Sequence, residues 1–125
     1  MNIVDTSAWL EYFVDGRNAG RFAAPIEDVE KLIVPTICLY EVFKVSLRER
    51  GEDAALQAVA LMKQGRVVEL TETLAIQAAK VSTDLKLPMA DSIILATARA
   101  CMGIVWTQDE DFDGIEGVTY IAKSS

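Results

Sequence analysis

Short apolar runs alternating with longer segments of helical period predict an α/β domain whose helices cover both faces of a mostly parallel sheet of about five strands. Three observations carry this. The runs are too apolar to have one wet face, as in strands buried on both sides. Between the first four runs lie longer stretches repeating their apolar residues at i, i+3 or i+4. Length agrees as well: 125 residues are one domain's worth of chain, 1–125, long enough to bury a core without disulfide staples.

The elements follow in order. Ile3-Val4 is the first strand, and Ala8, Trp9 and Phe13 after Asp5 lie at helical spacing. Leu32-Ile33-Val34, bounded by Pro35, is the second strand. Thr36 is placed to cap a helix running to about Arg50, which Gly51 stops. Ala55, Val59 and Met62 form the stripe of a further helix ending at Gly65, and Val67-Val68-Glu69-Leu70 is the third strand. Leu74, Ala78, Val81 and Leu85 mark another helix, and Pro88 opens a strongly apolar one from about Met89 to Cys101. Ile104-Val105-Trp106 and Val118-Thr119-Tyr120-Ile121 are the last two strands.

Composition narrows the chemistry. With 51 % hydrophobic and 25 % charged residues the chain is of ordinary globular type. Cys38 and Cys101 lie far apart, which argues against a disulfide framework or a zinc ribbon. Thiols in apolar runs fit a reducing cytoplasm. The start has no signal-like region, and no apolar run is long enough for a bilayer, so a cytoplasmic protein without a membrane partner is expected. The chain has no histidine. Serine or cysteine triads with a histidine base, histidine ribonucleases and histidine-ligated zinc are thereby excluded. An enzyme built from this chain must work with carboxylates. The net charge of −7 is unusual for a nucleic-acid binder, but a cation held by acids reverses the local sign.

Four acids sit at junctions between elements. Asp5 closes the first strand beside Thr6 and Ser7; an N-cap explains it, and so does a place at the carboxyl edge of a central strand, where ligands bind in such sheets. Glu41 lies among large apolar neighbours one turn into its helix, on the same side as Lys44, with which it can pair. Asp91 suits the dipole in the first turn of its helix, yet that helix is apolar nearly all round and an unpaired charge there is costly. Asp109 and Asp111 follow the fourth strand in Thr107-Gln-Asp-Glu-Asp-Phe112, which also reads as an Asx turn. A calcium loop starting at Asp109 fails, because Tyr120 stands where the twelfth-position glutamate belongs. Carboxylates converging without histidine suit hard, oxygen-seeking Mg²⁺ or Mn²⁺.

These segments, Asn2-Ile-Val-Asp-Thr-Ser-Ala8, Glu41, Pro88-Met-Ala-Asp91 and Thr107-Gln-Asp-Glu-Asp-Phe112, resemble the PIN-domain family over the whole chain, most closely the VapC-type toxins of toxin–antitoxin pairs. The resemblance implies an α/β/α sandwich and an endoribonuclease dependent on Mg²⁺ or Mn²⁺. It also implies a homodimer and inhibition by a cognate antitoxin. Carried over, the acidic site falls on Asp5, Glu41, Asp91 and Asp109, with Asp5, Asp91 and Asp109 as the metal-organising acids. Asp111, Thr107, Thr6 and Ser7 are accessory. Arg17, Arg21, Lys44 and Arg48 are candidates for steering RNA, although solvated surface charge is the better explanation of any one of them. Trp9, Tyr12 and Phe13 are candidates for antitoxin contact or for the core. Two alternatives share the fold: a PIN nuclease of RNA processing and a non-catalytic PIN-like binding module. A receiver domain is disfavoured, since Leu70-Thr71 follows the third strand where a phosphoacceptor aspartate belongs.

Overall fold

The computed structural model describes residues 1–123. Strand β1 (Asn2–Val4) leads into helices α1 (Thr6–Phe13) and α2 (Ala19–Glu27); β2 (Leu32–Pro35) into α3 (Thr36–Arg50) and α4 (Glu52–Met62). Strand β3 (Arg66–Val68) leads into α5 (Glu72–Leu85) and α6 (Met89–Ala100), and β4 (Ile104–Thr107) runs through a 3-10 turn to β5 (Val118–Tyr120). All four strand pairings are parallel, in the order β3-β2-β1-β4-β5. Ile3 and Val4 are both fully buried, as are Leu32, Ile33 and Val34 nearly so. Consecutive strand residues face opposite ways, so the sheet is covered on both faces, as the apolar runs predict. This is the α/β/α sandwich.

The order places the site. From β1 the chain builds outward through β2 to the edge strand β3, then returns to the other side of β1 to lay down β4 and β5. Strand order therefore reverses between β1 and β4, and the crevice beyond their carboxyl ends is the topological switch point where open α/β sheets bind ligands. The backbone N–H of Asp5 still donates to the carbonyl of Trp106 at 3.0 Å, so the exits of β1 and β4 are locked side by side. At the opposite edge, a Cβ on Gly103 would lie 2.5 Å from Ile3 Cδ1 and 3.1 Å from the Met1 carbonyl oxygen. Glycine lets the chain enter β4 that close to β1 without displacing Ile3.

Several local expectations change. Thr36 is the first helical residue of α3, not its cap: Pro35 holds the flanking position and no side chain caps this end. Helix α4 ends at Met62, three residues short of Gly65, and the chain closes through single-turn bonds from Gln64 and Gly65. Strand β3 stops at Val68, leaving Glu69 and Leu70 exposed in the connection to α5. Leu85 ends the α5 stripe 39 % exposed. Helix α2 has no forecast in the sequence, because Gly20 and Pro25 interrupt its pattern; Ala19, Phe22 and Ile26 nevertheless bury one face. Trp9 is fully buried and stacks on Phe13, which assigns it to the core and removes it as an antitoxin contact.

Candidate metal centre

Asp5 does two things at the exit of β1. Its Oδ1 accepts from the Ala8 N–H at 3.1 Å, capping α1, and from the Ser7 hydroxyl at 2.8 Å. Capping orients the carboxylate over the end of the sheet; burial, with 2 % exposure, removes it from water. Desolvation pushes its pKa up to about 6. The bonds from Ser7, Thr107 and Ala8 oppose that rise, and the charge of Asp109 adds to it.

Asp91 enters from the first turn of α6, a helix with every residue from Ser92 to Ala98 buried. Its pKa stands at about 7, raised first by desolvation and then by the charges of Asp109, Asp5, Asp111 and Glu41. No cation of the protein answers for it among those causes. Asp109 comes from the turn after β4: its Oδ1 accepts from the Asp111 N–H at 3.0 Å, the Asx geometry, while its own N–H donates to Thr107 Oγ1 at 2.9 Å. One carboxylate oxygen each of Asp5, Asp91 and Asp109 lie within 4.8 Å of one another. Three carboxylates this close repel one another when all are charged, and the two raised pKa values are that repulsion added to burial.

Glu41 stands outside this triple. Its Oε1 accepts from the Thr6 hydroxyl at 2.6 Å, which ties α3 to the start of α1, and its charge reaches Asp91. The alternative pairing partner, Lys44, lies over the Tyr40 ring at 5.7 Å. Asp111 is exposed and contributes its N–H to Asp109 and its charge to Asp91. Ser7 and Thr107 bridge the two strand exits: the Ser7 hydroxyl lies 3.4 Å from that of Thr107 and accepts from the Gln108 N–H at 3.2 Å. Beneath the site the Cys38 thiol is fully buried beside the Val4 carbonyl, and desolvation raises its pKa strongly, so it stays protonated and inert.

The donor set tests which ion fits. Three aspartates on separate elements offer only oxygen, without imidazole or thiolate, a donor set that suits a hard divalent cation. A cation bound there takes the place of the missing basic partner. Sequence reasoning passes over Asn18 and Gln108, buried polar residues joined by a side-chain hydrogen bond 90 positions apart in the chain. Asn18 flanks α2 in the cap position, but its side chain makes no cap bond there.

A cleft of about 320 Å³ adjoins the centre, sharing Ser7 and Gln108 with it and lined further by Leu10, Phe13, Val14 and Arg50.

Comparison with known proteins gives the following. The family model described as "PIN domain" matches residues 3–118. No curated protein sequence matches the chain. Among solved structures, a toxin–antitoxin complex from Klebsiella pneumoniae superposes with a TM-score of 0.82 at 22 % identity, covering 99 % of this chain and 100 % of that one. The sarcin–ricin-loop-cleaving toxin VapC20 of Mycobacterium tuberculosis gives 0.78 at 20 % identity over 94 % and 97 %. The VapBC2 structure from Rickettsia felis, bound to a fragment of promoter DNA, gives 0.74 at 10 % identity over 97 % of each chain. At these identities the likeness is one of fold.

Proposed function

The chain belongs to the PIN-domain family, and from that premise we propose that it is a cytoplasmic, Mg²⁺- or Mn²⁺-dependent endoribonuclease, the toxin of a toxin–antitoxin pair. One observation carries the proposal: three carboxylate oxygens within 4.8 Å at the topological switch point, on aspartates two of which have pKa values raised first by burial and then by the neighbouring acids. Such a cluster is stable when charged only if a cation joins it.

Asp5, Asp91 and Asp109 hold the ion. The chemistry it supplies when bound is Lewis acidity toward a scissile phosphate and toward water. The protein's own residues do the rest. Asp5 is held at a fixed rotation by the bonds that its Oδ1 accepts from the Ser7 hydroxyl and the Ala8 N–H. Glu41, kept in place by Thr6, is the carboxylate left to orient an attacking water and take its proton. Thr107 holds the Asp109 backbone, and Asp111 keeps the Asp109 side chain turned through its N–H. The absence of histidine from the chain makes a carboxylate the only side chain of suitable basicity in the cluster.

The neighbouring cleft, with apolar Leu10, Phe13 and Val14 and with Ser7 and Gln108 in common with the centre, is the surface we assign to a protein antitoxin. A homodimer completes the proposal on the resemblance alone. The test is cleavage of RNA by the purified protein with Mg²⁺ or Mn²⁺, abolished by EDTA and by the antitoxin encoded beside it. Binding of the cation without cleavage of any RNA would overturn the enzyme in favour of a binding module. Cleavage that EDTA leaves intact would overturn the role of the acids.

A further inference from the structure

Asn18, only 5 % exposed, touches none of the acids, yet it sits where four segments of chain meet. Its Nδ2 donates to Gln108 Oε1 and to the Ala122 carbonyl oxygen, both at 3.0 Å, and its backbone N–H donates to Glu11 Oε2 at 3.0 Å. A backbone carbonyl can only accept, so the bond to Ala122 fixes which way the amide faces, and Gln108 must then present its oxygen. Both N–H bonds of the amide are spent. The side chain thus pins the turn after β4 to the exit of β5 and to the start of α2.

That turn is the one that carries Asp109. Gln108 lies between Thr107 and Asp109, is itself 8 % exposed, and sends its backbone N–H to Ser7 Oγ, which donates onward to Asp5. One polar chain therefore runs from Asn18 through Gln108 and Ser7 to Asp5, with Asp109 covalently attached to its middle. Asp109 itself makes short local bonds: its N–H donates to Thr107 Oγ1 at the end of β4, and its Oδ1 accepts from the Asp111 N–H within the turn. Beside the buried Phe112 and the bond from the Ile121 N–H to the Thr107 carbonyl, the Gln108 carboxamide gives the turn a long-range tie to α2.

We propose that Asn18 is a positioning residue of the acidic centre: by clamping Gln108 and Ala122 it fixes the turn after β4, and through it the spacing of the Asp109 and Asp5 carboxylates. The inference rests on the reading of that centre as a divalent-cation site. Outer partners that orient metal ligands are typically worth about 10- to 100-fold in metal affinity.

The experiment compares Asn18→Ala with wild type in the full-length protein, using Mn²⁺ titration by calorimetry and amide hydrogen exchange of the metal-free form. The expected result is Mn²⁺ affinity at least about tenfold weaker, with exchange at Gln108, Asp109 and Asp111 faster by a similar factor. Thr71→Ala, which removes the distant cap of α5, controls for general softening and should change neither reading. Gln108→Ala breaks the same bond from its other side, leaves Asn18 on Ala122, and serves if the Asn18 variant fails to fold. Wild-type affinity together with wild-type exchange at the three amides would overturn the proposal, as would an equal loss in Thr71→Ala. If the wild type itself takes no Mn²⁺, the cation reading is what fails, and the exchange rates still decide whether Asn18 holds the turn.

Discussion

Two strand exits begin alike and end differently. After β1, Asp5 caps α1 through a bond from the Ala8 N–H at 3.1 Å; after β3, Thr71 caps α5 through a bond from the Leu74 N–H at 3.2 Å. Both follow an apolar run, and an acid stands near each, Asp5 in one case and Glu69 in the other. Yet Asp5 is buried against Asp91 and Asp109, whereas Glu69 and Thr71 are exposed with no such company. The local chemistry of capping is the same. What differs is position in the sheet: β1 is central, at the point where strand order reverses, and β3 is the edge. A carboxylate becomes a site when the topology delivers others to it.

The largest effect should come from breaking that company. Asp5→Asn, Asp91→Asn and Asp109→Asn keep the shape of the side chain but remove a charged oxygen donor. Each is expected to lower Mg²⁺-dependent RNA cleavage by roughly 100-fold or more, beyond the range typical of outer-shell partners. Glu69→Gln should leave the rate within about twofold, as surface changes usually do. Rates on one RNA, with folding checked by circular dichroism, decide it. A verified aspartate variant cleaving at the native rate would remove that residue from the site.

The same contrast has a pH signature. Asp5 titrates near 6 and Asp91 near 7 in the native state, against 3.8 for an ordinary aspartate. Between about pH 4 and 7 the native protein therefore holds more protons than the unfolded chain, and the stability of the metal-free protein falls as pH rises through that window. A two-unit shift corresponds to on the order of 3 kcal/mol. Mn²⁺ competes with those protons, so its stabilisation should grow from pH 5 to pH 8 and reverse the trend. Asp91→Asn should respond less to metal and, without metal, should be more stable than wild type at pH 8. Thermal melts at both pH values check this. A metal-free protein more stable at pH 8 than at pH 5 would contradict the raised values.

How much of this was legible in the sequence follows from the same comparison. Apolar runs mark all five strands because burial on both faces leaves its mark residue by residue, as at Ile3-Val4 and Leu32-Ile33-Val34. They overshoot at β3, where Glu69-Leu70 continues the pattern but the edge strand has already ended at Val68. Helix α2 stayed hidden because its glycine and proline oppose propensity, and tertiary burial of Phe22 and Ile26 overrides them. Asp5, Asp91 and Asp109 stand out as acids at element junctions. That their oxygens meet within 4.8 Å depends on strand order, which no local pattern carries. The Asn18–Gln108 bond is less legible still, since it joins two side chains 90 positions apart, and the Asn18 side chain makes no bond to the helix it flanks.

The smallest effect sharpens the comparison most, because it isolates capping from catalysis. Thr71→Ala removes the hydroxyl that accepts from the Leu74 N–H and leaves that donor to water at an exposed helix end. Losing such a cap costs about 1 kcal/mol. For a chain of this size that lowers the melting temperature by roughly 3 to 6 °C. Cleavage and metal affinity should stay at wild-type values, because Thr71 lies at the exit of the edge strand, away from the acids. Asp5→Asn offers the opposite combination: its amide oxygen can still accept from the Ala8 N–H, so the cap of α1 persists while the charge is gone. One variant should lose stability and keep activity; the other should lose activity and keep its helix. If Thr71→Ala loses cleavage as well, the two exits are coupled, and sheet position alone no longer separates a cap from a site.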